Sequence, residues 1–127
     1  MPLVTLTVRK GRGAEFKKSI LEGVHAALVA SGVPAEDQFH RVLELEAGDF
    51  TYHPTYPDLT SPRGENFVLI EILLSVGRSV KVKRQIVQQL TSGIAGKLSI
   101  NPEEIMVVFR ETRWENWSFG GGRFIHV

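Results

Sequence analysis

The chain has 127 residues, 43% hydrophobic and 23% charged, with a formal net charge of +1 and no cysteine. That length suits one domain able to bury roughly two thirds of its unfolded surface, and the near-neutral charge gives no basis for a nucleic-acid or anionic-membrane partner. Disulfides, thiolate catalysis and cysteine-ligated metal are excluded, and the lack of a signal peptide or a membrane-length apolar run makes a cytoplasmic protein the expectation.

The first predicted strand begins in MPLVTLTV (1–8). Proline lacks an N–H and is tolerated at a strand's first position, so Pro2 fits there as a purely structural residue. Loss of Met1 would instead make Pro2 the chain terminus, a rigid, basic secondary amine. Gly11-Arg12 then opens an amphipathic helix with Phe16, Ile20, Val24, Ala27 and Leu28 on one face. Gly32 is its predicted C-cap, with Pro34 just beyond, and His25 is expected to face solvent. HRVLELE (40–46) reads as a second strand. The connection 47–66 carries three of the six prolines and the aromatics Phe50, Tyr52 and Tyr56, which are candidates to reach a neighbouring chain's site. A connection this long is commonly functional unless it holds a short hairpin.

A shift of 66 residues brings the pattern back. LVTLTVRKGRGAEFKKSI (3–20) falls on LIEILLSVGRSVKVKRQI (69–86), so Gly11-Arg12 matches Gly77-Arg78. The helical stripe recurs as Val82, Ile86, Leu90, Gly93 and Ile94, VPAED recurs as INPEE, and IMVVFRE (105–111) forms the matching last strand. The reading is therefore a single α+β domain over 1–127, built of two tandem β-α-β pseudo-repeats (about 2–46 and 67–111). These would form a four-stranded mixed sheet with two helices on one face, followed by an extended or hairpin-like arm over 112–127. Strand alternation puts Leu3, Thr5, Thr7, Leu69, Glu71 and Leu73 on the other face, apolar enough to predict a covering homo-oligomer.

Several chemistries find no support. The triplet Gly120-Gly121-Gly122 lacks the lysine–serine/threonine pair and following helix of a phosphate loop. His25, His40, His53 and His126 have no metal-ligand spacing, and no serine sits in a nucleophile elbow. Arg12 and Arg78 are more informative, because each follows a strand and a glycine at a helix start, where a guanidinium and helix N–H groups suit a carboxylate. If the first strands of the two halves lie antiparallel, Pro2 comes near Arg78 and Arg12 comes near Val68, the residue that replaces proline in the second half.

Proline after the initiator methionine, GRS (77–79) opening a helix, the β-α-β repeat and ENWSFGGG (115–122) together resemble the tautomerase superfamily, most closely its malonate semialdehyde decarboxylase-like branch. The resemblance covers nearly the whole chain. It implies a homotrimer and catalysis by the amino-terminal proline without metal or organic cofactor. On it, Pro2 is the catalytic amine, Arg78 binds the carboxylate of a small substrate, Asp37 positions water, and Trp117 and Phe119 wall the pocket. Val76 stands where the decarboxylase pattern has another arginine. That departure favours tautomerisation of a small enol or keto acid, with decarboxylase or hydratase activity on a three-carbon oxo or unsaturated acid as the alternative. A non-catalytic oligomeric binding protein of the same fold is the second alternative, favoured if Met1 is retained and Pro2 is locked in an amide.

Overall fold

The structure, a computed structural model, describes residues 2–124; Met1, His126 and the last residues of the arm lie outside them. Strand β1 (Leu3–Arg9) leads into helix α1 (Ala14–Ala30) and strand β2 (Phe39–Leu45), and β3 (Val68–Ser75) leads into α2 (Val80–Leu98) and β4 (Ile105–Thr112). The sheet order is β2-β1-β3-β4. Each half contributes a parallel pair, β1–β2 and β3–β4, and the two halves meet at the antiparallel β1–β3 pair. The expected mixed four-stranded sheet is thus the observed one.

One face of this sheet is a dry core. Val4, Leu6 and Val8 of β1 and Val68, Ile70, Ile72 and Leu74 of β3 are fully buried against Ile20, Val24 and Leu28 of α1 and Ile86, Leu90 and Ile94 of α2. The helices touch closely at Gly23, where an added Cβ would lie 2.7 Å from Ile94 Cγ1. Helix α1 stops where predicted. Gly32 takes φ 113°, and the N–H groups of Gly32 and Val33 donate to the carbonyls of Val29 and Leu28, capping the last turn. His25 departs from expectation: it is half-buried, with Nε2 2.9 Å from the Ala35 carbonyl, because the chain after Pro34 folds back over the helix.

The opposite face carries Leu3, Phe39, Leu43, Leu69, Leu73 and Met106 by register and alternation. Phe39, Leu43 and Met106 are each more than 40% exposed in the single chain. The connection 47–66 contains one short 3-10 turn (Ala47–Asp49) and no strand. Phe50 and Tyr52 pack on Phe67 of their own chain, whereas Tyr56 is 71% exposed. Among the described residues, no helix is long and apolar enough to cross a membrane.

Candidate active site

The antiparallel register fixes which residues meet at each end of the sheet. Leu3 pairs with Leu73, so Pro2, one step earlier and buried, comes level with the last residues of β3. Leu3 also pairs with Phe39 in parallel, so Asp37 enters the same end of the sheet two residues before β2. Its N–H closes a turn on the Pro34 carbonyl at 3.0 Å, the turn that a Pro-x-x-Asp run favours, and the side chain is half-buried.

Beyond Ser75 the chain turns at Gly77, with φ 122°, and Ser79 caps α2 by accepting the Val82 N–H. That turn swings Arg78 back toward the sheet. Among the described residues its one hydrogen bond is a long one, Nη1 to the Ser75 carbonyl at 3.4 Å, and no carboxylate pairs with it. A half-buried guanidinium beside a helix N-terminus thus keeps donors for an incoming anion.

The arm after β4 crosses this end. Asn116 Nδ2 donates to Thr112 Oγ1 at 2.7 Å, and Trp117 then reaches back to donate Nε1–H to Ser75 Oγ at 2.9 Å. Trp117 and Phe119 lie parallel, their planes 1° apart and centroids separated by 5.5 Å, and Phe119 packs on Phe39 at 5.7 Å. The two rings therefore span from the end of β3 to the start of β2. Strand β1, which Pro2 precedes, runs between those two in the sheet. Pro2, Arg78, Asp37, Trp117 and Phe119 all belong to one end of the sheet. Ser75 and Phe39 join them without having been expected. A serine closing a largely apolar strand was the sequence signal for the first, while Phe39 stands just ahead of the predicted strand and carried none.

Comparison with known proteins identifies the family. A profile of the tautomerase enzyme family matches residues 37–120. The chain belongs to that family. It is 27% identical to probable tautomerase YusQ of Bacillus subtilis (strain 168), over 97% of this chain and 96% of the relative. Among solved structures, malonate semialdehyde decarboxylase superposes with a TM-score of 0.88 at 30% identity, over 98% of this chain and 95% of that one. A fused 4-OT, described as a symmetric trimer, shares the fold at 20% identity and a TM-score of 0.75, over 96% and 94% of the two chains.

Proposed function

We propose that this tautomerase-family protein is a cofactor-independent isomerase of a small enol or keto carboxylic acid, with Pro2 as its proton carrier once Met1 is removed. The observation that supports the reading is the register: buried Pro2 starts β1 at the end of the sheet where β3 runs out toward Arg78 and where Asp37 leads into β2. A terminal amine titrates near 7.7–8.0 in water. Apolar surroundings disfavour the ammonium and lower that value, which suits a general base near neutral pH. Pro2 takes the enol hydroxyl proton as the carbonyl forms, then delivers a proton to the carbon end, so the amine is regenerated and the product is an isomer. Arg78 pairs with the substrate carboxylate and stabilises the enolate as charge develops. Trp117 and Phe119 exclude water from the reacting carbons.

The chain is proposed to work as a homotrimer. Its support is the exposed apolar sheet face around Phe39, Leu43 and Met106, together with the trimeric assembly of the fused 4-OT neighbour.

The test is ketonisation of a carboxylated enol, followed by ultraviolet absorbance, with intact mass used to verify loss of Met1. Pro2→Ala, folded and assembled like the parent, should lose at least about a hundredfold in rate. Equal rates in the two chains would end the proposal. A second reading, decarboxylation or hydration of a three-carbon acid with protonated Pro2 and Asp37 directing water, is favoured by the likeness to malonate semialdehyde decarboxylase. Val76, 40% exposed and uncharged, weighs against it. Carbon dioxide release from malonate semialdehyde exceeding enol turnover would reverse that order.

A further inference from the structure

We propose that Ser75 is a positioning residue of this site: its hydroxyl holds the Trp117–Phe119 stack over Pro2. The inference rests on the tautomerase reading above and adds a residue to it.

Ser75 ends a strand that is otherwise largely aliphatic, and it is fully buried. A hydroxyl taken out of water costs free energy unless it is hydrogen-bonded, and an alanine there would fill almost the same space. Its reason for being polar is the bond it makes. Trp117 offers a donor only, and Ser75 Oγ accepts it at 2.9 Å. The same residue's carbonyl takes the long bond from Arg78 Nη1. One residue is therefore bonded to both the Arg78 turn and the Trp117 ring.

The arm's other described tie beyond its root is apolar, Phe119 on Phe39. Its root is tied to β4, with Val76 N–H donating to the Thr112 carbonyl at 2.8 Å and Asn116 bonded to Thr112. Past Asn116, the hydrogen bonds seen among the described residues run within the arm, except Trp117 to Ser75. Phe119 is 37% exposed and Trp117 half-buried, and neither belongs to the core between sheet and helices. Removing one polar tie from such a segment frees it to lift, and lifting admits water to the proline. The chemistry then suffers through the amine's environment while the core stays intact.

A Trp114→Phe background leaves Trp117 as the single tryptophan. In that background Ser75→Ala should shift Trp117 emission to the red and raise its quenching by acrylamide. With the carboxylated enol as substrate, kcat/KM should fall about tenfold, the equivalent of one hydrogen bond. The acid limb of the pH–rate profile should also move up toward the value of an open terminal amine. A merely structural serine would lower thermal stability and leave that limb in place. The second variant is Trp117→Phe, which keeps the ring and removes the donor. Ser75→Ala added to it should cost no further activity, because the bond is already gone. Additive losses, or an unmoved acid limb in a chain whose turnover needs Pro2, would overturn the proposal. Failure of the tautomerase reading is separately visible as turnover that survives Pro2→Ala. The emission measurement stands independently of activity, and an unchanged spectrum in Ser75→Ala would also sink the proposal.

Discussion

The two ends of the sheet follow one plan and differ in who occupies the arginine. At the end just described, Arg78 makes one long hydrogen bond to a carbonyl among the described residues. At the other end its counterpart Arg12 is taken up by its own chain. Asn66 Oδ1 accepts a hydrogen bond from Nη2, Glu65 lies 3.8 Å from Nη1, and the Phe16 ring sits 4.8 Å from the guanidinium carbon. Val68 stands there in place of Pro2, in the middle of the polypeptide and with no amine. The covers differ too. One end has an arm of stacked rings. The other has the connection 47–66, pinned by Glu103 to Thr60, by Asn101 to Ser61 and by buried Glu104 to the Gly64 N–H. The same strand–glycine–arginine–helix turn therefore leaves its guanidinium donors open at the end proposed to bind the substrate anion. It gives a structural clasp when the chain supplies the acceptors.

Exchanging an arginine for alanine at each end should separate those roles. Arg78→Ala is expected to lower kcat/KM about a hundredfold, the worth of a charge-assisted pair to substrate, with the thermal midpoint nearly unchanged. Arg12→Ala should do the reverse. It strands Asn66 and uncovers Phe16, costing about 1–2 kcal/mol of stability, while turnover stays near the parent rate. Steady-state kinetics and urea unfolding on both variants check this. Equal kinetic damage from Arg12→Ala would show that the second end also serves the reaction.

The next effect lies on the core that both ends share. Gly23 lets α1 and α2 approach closely, and a Cβ there would meet Ile94 Cγ1 at 2.7 Å, well inside contact distance. Gly23→Ala should gain helix propensity and still destabilise by about 1–3 kcal/mol through overpacking. Pairing it with Ile94→Val, which shortens the opposing side chain, should recover part of that loss. Both ends should weaken together, which distinguishes core damage from damage to either cover.

How much of this was legible depended on periodicity. The helical stripes and the strand alternation repeat at a fixed offset, so the β-α-β units, the mixed sheet and the antiparallel meeting of β1 with β3 could be read from the sequence. The clasp on Arg12 was not legible. Asn66 and Glu65 lie more than 50 positions from it, in a connection without periodicity, and are brought in by side-chain contacts that no local pattern encodes. His25 was misread for the same reason, since its burial is set by the chain folding back after Pro34. Trp117 and Phe119 were chosen by family resemblance. The residues they rest on, Ser75 and Phe39, required the fold.

The smallest expected effect is one of pH, and it should loosen the two ends at different points. His40 lies in β2 just past Asp37, with its ring 5.5 Å from that of His25 on α1 and Gln38 Nε2 3.4 Å from its Nδ1. Burial, and then the nearby charge of His25, hold its imidazole below the ordinary value. Between the two values the unfolded chain binds the extra proton, so stability falls as pH drops through about 6.5 and levels off once His40 is also protonated in the folded chain. At the other end, hydrogen bonds from the Thr60 N–H and hydroxyl, with Arg63 nearby, hold Glu103 below the usual carboxylate range. Its contribution is therefore present above that range and lost only in stronger acid. Acidification from pH 7.5 to 5.5 should lower the urea midpoint of the parent more than that of His40→Gln. Amide exchange over the same interval should quicken at residues 34–40 before it quickens at 58–64. Parallel midpoints in the two chains would remove His40 from the account, and simultaneous loosening would mean that the two covers unfold as one unit.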